Sequence, residues 1–170
     1  MKRIIAVGCM FAAAILVAFA GGGKMKITSS AFQEGGAIPE KFSKNGQNVS
    51  PELRIEGVPA DAKGFAVIVD DPDAPGGLFT HWLVWNIDPK TTQIAEGSAP
   101  AGAAQGKNDF GEIGYGGPQP PSGTHRYYFK VFALNGALDL KPGARRKDVD
   151  AAMKGHIIAQ GQLMGRYSKK

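Results

Sequence analysis

The sequence predicts a mainly β domain, and three observations support this fold class. Residues 65–69 (FAVIV) are continuously apolar and rich in β-branched side chains, which is typical of a buried central strand. Residues 52–56 (ELRIE) alternate polar and apolar side chains, as expected of a strand with one buried face. Helical periodicity is convincing only late in the chain, at residues 146–154. Strands followed by a late helix indicate a β-sandwich with a small C-terminal helical part.

Further strands are predicted in order along the chain. Residues 26–29 open the first strand, and a short strand is expected at residues 92–95. The run HWLVWNI at residues 81–87 predicts another apolar strand. Strand alternation places four of its side chains on one face, namely His81, Leu83, Trp85 and Ile87. Strands at residues 126–134 and 156–167 complete the predicted sheets.

Residues 98–117 form a long connection that is rich in Gly and Ala and has no strong periodicity. A structureless connection of that length in a compact domain is usually functional or mobile. The predicted helix at residues 146–154 places Val149 and Met153 on its apolar stripe, and Gly155 lies just past its end.

The first 20 residues predict a cleaved signal peptide. Lys2 and Arg3 precede an almost uncharged apolar run at residues 4–19, and residues 18–20 (AFA) match an A-x-A cleavage pattern. An uncleaved membrane anchor is the alternative, although the run is short for a membrane span of about 20 residues. Cleavage would leave one domain, residues 21–170, in a protein exported to the periplasm or secreted.

Charge and cysteine content exclude several functional classes. The net charge of +5 falls to +3 when the predicted signal peptide leaves with its two basic residues. No dense basic stripe with interleaved aromatic residues is present, so nucleic acid is not an expected partner. Cys9 is the only cysteine and lies inside the predicted signal peptide. The mature chain therefore has neither a disulfide nor a thiol for catalysis.

Two carboxylates directly follow the predicted strand at residues 65–69. Asp71 and Asp73 lie two positions apart in the segment DPDAP. In an extended segment the two side chains point the same way, so we expect them to repel each other and one of them to bind a proton more readily. The plain alternative is a capped turn, because Asp and Pro are common turn residues.

Two histidines lie where Gly- and Pro-rich loops meet strands. His81 begins one predicted strand, and His125 follows the segment GYGGPQPPSGT at residues 114–124. His125 and Tyr127 share one strand face, whereas Arg126 points to the other. Each histidine alone has an ordinary structural explanation. Together with Asp71 and exposed loop amides, they predict a site that binds a phosphate-like anion.

Other chemistries are less well supported by the residues. Zinc held by two histidines and an aspartate is an alternative, but no pair shows close metal-ligand spacing. A calcium loop counted from Asp71 fails at its fifth and twelfth positions, Pro75 and Trp82. No G-x-S-x-G motif and no cofactor motif occur. A hydrolase of small esters or phosphoesters, with Asp71, His81 and His125 as its acid–base groups, remains the alternative function.

These motifs, in this order, resemble those of the phosphatidylethanolamine-binding protein family, and most closely its bacterial Raf-kinase-inhibitor-like branch. The resemblance rests on the segments NVSPEL at residues 48–53, DPDAP at 71–75, HWLVWN at 81–86, and GYGGP and HRY at 114–118 and 125–127. It extends over residues 25–167, which is nearly the whole predicted mature chain.

The resemblance implies a Greek-key pair of antiparallel sheets with one pocket for a phosphate-like or other small anionic group. By motif, six residues would line this pocket: Asp71, His81, Gly117, Pro118, His125 and Tyr127. Asp73 and Arg126 belong to the same motifs and are expected to support them. The resemblance further implies a role as an inhibitor of a kinase or protease and a cis bond between Ala74 and Pro75. Because the residues supply no recognisable nucleophile or cofactor motif, we expect a non-catalytic protein without cofactor or metal, and we expect a monomer or homodimer.

Overall fold

The computed structural model describes residues 23–169, which form two β-sheets and a single α-helix. The strands are β1 (Gly23–Lys24), β2 (Lys26–Thr28), β3 (Leu53–Glu56), β4 (Gly64–Asp71), β5 (Phe79–Ile87), β6 (Gln93–Ile94), β7 (Ala104–Gln105), β8 (Thr124–Leu134) and β9 (Ile157–Ser168). The helix α1 spans Arg146–Met153, and a 3₁₀ turn spans Glu40–Phe42. The predicted mainly β fold is confirmed.

One sheet has six strands in the order β1-β9-β8-β4-β5-β7, and the other has three in the order β2-β3-β6. Neighbouring strands are antiparallel except at one edge, where β1 runs parallel to β9 and pairs Gly23 with Ala159. The expected pair of antiparallel sheets is confirmed, with this two-residue parallel pair added at one edge. The central strand β4 is buried along its whole length, as its apolar sequence predicts.

The six-stranded sheet carries a core on each face. The larger core lies between the two sheets and contains alternate residues of β4 and β8, including Val67, Val69 and Phe129. The smaller core lies under α1 and includes Ile68 and Val149. Since successive strand residues face opposite sides, the last two residues of β4 separate: one carboxylate points toward each core.

Asp70 is the carboxylate on the helix side, and it has no solvent exposure. It forms ion pairs with Lys130 of β8, at 2.8 Å, and with Arg146 at the start of α1. Two cations offset the cost of burying this charge, and removing either partner of such a pair is expensive. This cluster ties α1 to the sheet and leaves the next residue, Asp71, free to face the other side.

The pairing of β5 with β4 contains two register shifts that alternation alone does not predict. One lies between Phe65 and Val67 of β4, and the other lies between Val69 and Asp70. Val69 pairs with Trp82 and Asp70 pairs with Thr80, so His81 is an extra residue between them. A bulge of this kind turns a side chain relative to simple alternation. The expected common face is therefore wrong: Leu83 and Trp85 join the core under the helix, whereas Ile87 lies in the core between the sheets.

Two other expectations are corrected by the structure. The connection at residues 98–117 is not structureless, because it contains β7 and an antiparallel bridge between Lys107 and Ile113. The bond between Ala74 and Pro75 is trans, since no cis peptide occurs among the described residues. The backbone hydrogen bonds of this connection, such as Gly106 N to Leu83 O at 2.9 Å, attach it to the sheet edge.

The predicted signal peptide lies outside the described residues. Across residues 23–169 no helix combines the length and apolar character needed to cross a membrane.

Candidate functional site

The predicted site residues meet where three central strands of the six-stranded sheet, β4, β5 and β8, begin or end. Asp71 ends β4, His81 lies near the start of β5, and His125 and Tyr127 lie near the start of β8. Because β4 is antiparallel to both of its neighbours, its end adjoins the starts of β5 and β8. Strand order therefore collects side chains that are more than 50 positions apart in sequence.

Asp71 orients His125. Nδ1 of His125 donates to Oδ2 of Asp71 at 2.7 Å, and the two side chains are only 8% and 5% exposed. The carboxylate also accepts the amide of Asp73 at 2.8 Å. Since Nδ1 is held by Asp71, Nε2 is the nitrogen of His125 that remains for a ligand.

His81 is fixed by the Gly- and Pro-rich loop. Its Nδ1 donates to the carbonyl oxygen of Gly116 at 2.6 Å, and the Gly116 amide in turn donates to the carbonyl of His81 at 2.9 Å. A neutral His81 therefore carries its proton on Nδ1 and presents a lone pair at Nε2. Burial disfavours the charged ring and lowers the pKa of His81 below its ordinary value.

Tyr127 contributes a hydroxyl that lacks a partner. Its ring packs edge-on against His81, with 5.2 Å between ring centroids. The side chain has no solvent exposure, and its hydroxyl makes no hydrogen bond of ordinary geometry within residues 23–169, although the Asp71 carboxylate and the Gln119 backbone lie near it. Burial, together with the nearby negative charge of Asp71, raises the pKa of Tyr127. The hydroxyl therefore stays protonated and is a donor available to an anion.

Gly117 and Pro118 lie beside His81, but their backbone groups are already bound. The Gly117 amide donates to Oδ1 of Asn48 at 2.7 Å, and the Pro118 carbonyl accepts the amide of Lys44 at 3.0 Å. The expectation of free loop amides is therefore wrong at Gly117. Asn48, which has a positive φ of 56°, is a site residue that the sequence reasoning missed; its place in the NVSPEL motif was the available signal.

The expected side-by-side pair of carboxylates is not formed, because Asp71 binds His125 whereas Asp73 binds Arg126. The chain turns after β4, and the Asp73 carboxylate binds Arg126 through Nε at 2.9 Å and Nη2 at 2.6 Å. These hydrogen bonds lower the pKa of Asp73 to about 2. Asp73 and Arg126 thus support the site by holding the turn after β4 against the start of β8.

Phe110 covers His81, and the sequence reasoning did not identify it. Its ring lies 5.4 Å from the His81 ring and 4.8 Å from Phe79, as measured between centroids. Lys44 stacks on the outer side of Phe110 at 4.6 Å and pairs with Glu112 at 2.5 Å. The only signal in the sequence was an aromatic residue within the connection at residues 98–117, which has no strong periodicity.

The cluster is nearly closed to solvent, with His81 3% and His125 6% exposed. His125 nevertheless lines an open pocket of about 530 Å³ together with Asp73 and Arg126. The open pocket thus reaches His125 but not His81, whose ring packs against Phe110. In the described part of the chain, no three His, Cys, Asp or Glu side chains converge to hold a metal ion.

The fold and the cluster together define a class of protein. It is a β-sandwich with histidine, tyrosine and aspartate side chains gathered at one end of the central strands. Residues 28–168 match the family model described as phosphatidylethanolamine-binding protein. The chain belongs to the phosphatidylethanolamine-binding protein family.

Relatives in sequence and structure agree with this membership. The chain is 46% identical over 150 residues to a UPF0098 protein of Methanothermobacter thermautotrophicus, covering 85% of this chain and 99% of the relative. A crystal structure of a phosphatidylethanolamine-binding protein homologue from Chlamydia trachomatis superposes with a TM-score of 0.82 at 44% identity, covering 86% of this chain and 99% of that one. Escherichia coli YbcL, described as a member of the mammalian family, gives the same TM-score and coverage at 34% identity.

Proposed function

We propose that this protein is an exported, non-catalytic binding protein whose buried cluster captures a phosphate-like or other small anionic group. The observation that carries the proposal is the unpartnered hydroxyl of Tyr127, buried against the ring of His81. A buried polar group without a partner costs free energy in the empty protein. A bound anion would supply the missing acceptor.

The histidines determine which charge the cluster accepts. Both rings use Nδ1 within the protein, on Gly116 and on Asp71, so each offers Nε2 to a ligand. A neutral ring offers a lone pair there, whereas a protonated ring offers an N–H donor. An anion therefore binds best when at least one ring is protonated, and binding raises the pKa of that ring.

The pH dependence follows from the empty site. Burial lowers the pKa of His81, so near neutral pH this ring is uncharged before the ligand arrives. Binding an anion then takes up a proton, and affinity increases as the pH falls from about 8 to about 5. A ligand whose own charge changes over this range would obscure the effect, whereas sulfate keeps its charge.

Titration calorimetry with sulfate, phosphate and phosphoethanolamine tests the proposal. Sulfate affinity should increase by up to about tenfold per pH unit while one histidine must be protonated for binding. His81→Ala should abolish this dependence, and Tyr127→Phe, which keeps the shape of the site, should weaken binding at every pH. His156→Ala is the control, because within residues 23–169 that exposed ring hydrogen-bonds Asn135 alone, at 2.8 Å. Failure of all three anions to bind, or a pH-independent affinity that survives His81→Ala, would refute the proposal.

One contact also favours the alternative function, a hydrolase of small esters or phosphoesters. The hydrogen bond from His125 Nδ1 to Asp71 orients Nε2 as a general base would be oriented. A panel of aryl esters and phosphoesters tests this function. Turnover that disappears in both His125→Gln and Asp71→Asn would support it, and equal background rates in the parent and both variants would exclude it.

A further inference from the structure

The open pocket beside His125 contains two arginines that lie opposite each other. Antiparallel pairing of β8 with β9 sets Arg126 across from Arg166. Side chains directly opposite in such a pair have Cβ atoms about 5 Å apart, and like charges there repel each other. Negative charge close to the two guanidinium groups would offset this repulsion.

Asp73 supplies that charge to only one of the two arginines. Its carboxylate accepts from Nε and Nη2 of Arg126, and one of its oxygens also accepts the Arg126 amide at 2.9 Å. The guanidinium of Arg166 is exposed and makes no ion pair or side-chain hydrogen bond with any residue between 23 and 169. The two arginines and one aspartate leave a net positive charge, before any charge on His125 is counted.

The rest of the pocket wall is suited to an oxyanion. Ser122 and Gly123 directly precede β8, Thr124 is its first residue, and all three line the pocket. The Thr124 hydroxyl shares a hydrogen bond of 2.8 Å with the Ser168 hydroxyl across the strands. Hydroxyl donors and a free guanidinium together match the oxygens of a phosphate group.

We propose that this pocket, lined by Arg126, Arg166 and the turn at residues 122–124, is a second anion-binding site that takes a phosphate monoester. The wide opening of the pocket favours a phosphate carried on a larger molecule, since only the charged group has to enter. Arg166 is the principal contact, because Arg126 is already held by Asp73. This site adjoins the buried cluster at His125, which lines the pocket, but its principal contact, Arg166, lies outside that cluster.

Amide NMR spectra can report the two sites separately. The probe is methyl phosphate, titrated into the full-length mature chain at constant ionic strength and compared with sodium chloride. Binding at the open pocket should shift the amides of Gly123, Thr124 and Arg166 in a saturable manner. Binding at the buried cluster should instead shift the amides of His81 and Gly117.

Arg166→Gln removes the free guanidinium and leaves the backbone pairing of β9 intact. We expect this variant to weaken methyl phosphate binding at the open pocket by about fivefold to tenfold, as judged from the Gly123 and Thr124 amides. Shifts at His81 should be unaffected. Arg54→Gln is the matched control, because Arg54 is an exposed arginine of β3, in the other sheet, and it pairs with Glu52.

The second site would be overturned by the absence of saturable shifts at the pocket amides or by equal shifts with sodium chloride. An Arg166→Gln variant that binds as tightly as the parent would overturn it too. Shifts confined to His81 and Gly117 would also overturn it while supporting the proposed function. Shifts confined to the pocket and lost in Arg166→Gln would support the second site while counting against the buried one.

Discussion

Replacing Tyr127 with Phe separates a binding role from a packing role. The ring is fully buried between the sheets, and its hydroxyl makes no hydrogen bond of ordinary geometry with a described residue, although Asp71 and the Gln119 backbone lie near it. Phe keeps the ring and removes only the oxygen. An unsatisfied buried hydroxyl costs about 1–3 kcal/mol, so Tyr127→Phe should increase the free energy of unfolding of the empty protein by about 1 kcal/mol.

The same substitution should weaken ligand binding. A hydrogen bond from a neutral donor to a charged acceptor contributes about 1.5–3 kcal/mol, which corresponds to a loss of affinity of about tenfold or more. Urea unfolding measures the first effect, and calorimetric titration with sulfate measures the second. In thermal unfolding, a gain of 1 kcal/mol corresponds to about 2–4 °C for a domain of this size.

Tyr167→Phe is the matched control. The hydroxyl of Tyr167 lies 3.0 Å from Oγ of Ser43, which itself donates to the carbonyl of Glu40 at 2.8 Å. Tyr167 must therefore donate to Ser43, and its loss should decrease the free energy of unfolding by about 1 kcal/mol. If Tyr127→Phe destabilises the empty protein as much as this control, or leaves anion affinity unchanged, the reasoning about the unpartnered hydroxyl is wrong.

Three further predictions concern the surroundings of the cluster. Gly117→Ala places a Cβ 2.2 Å from a backbone carbonyl oxygen, so it should decrease the free energy of unfolding in urea by about 2 kcal/mol or more. Gly76→Ala is the control and should change little, because its Cβ meets nothing within 4 Å. Equal effects of the two substitutions would contradict the close-approach argument. Phe110→Ala should raise the pKa of His81 toward its ordinary value, because burial is what lowers it; an NMR titration that finds no change would show that Phe110 does not cover the ring. The depressed pKa of Asp73 gives the folded protein stability that is present above pH 3.8 and is lost as the pH falls toward about 2. Asp73→Asn should therefore reduce the loss of stability between these two pH values. An unchanged loss in the variant would contradict this.

The periodicities of the sequence predicted most of the fold. The apolar run at residues 65–69 forms the buried strand β4, and the helical stripe at residues 146–154 forms α1 within one residue of its predicted end. Both histidines lie near the start of a strand, although β5 begins at Phe79 rather than at His81 and β8 begins at Thr124 rather than at Arg126. These features depend on local spacing of apolar and polar residues, which a single sequence displays directly.

The sequence did not reveal the features that depend on strand register. A bulge in β5 makes His81 an extra residue, and its ring packs against Tyr127 rather than sharing the face of Leu83 and Trp85. Bulges arise from the pairing of two strands, and β5 alone carries no periodicity that shows it. The partner of Asp73 was likewise unpredictable, because Arg126 lies 53 positions away and reaches it only through sheet pairing.

The sequence by itself determined the family resemblance, the helix and the longer strands, but not the short strands β1 and β7. It also indicated the aspartate, histidine and tyrosine side chains that gather at one end of the central strands. The tertiary structure alone decided that the Gly117 amide is occupied by Asn48, that Phe110 covers His81 and that the Tyr127 hydroxyl is left without a partner. The physical reason is that alternation and turn chemistry act between neighbouring residues. Desolvation and hydrogen-bond satisfaction depend instead on which distant segments pack around a group.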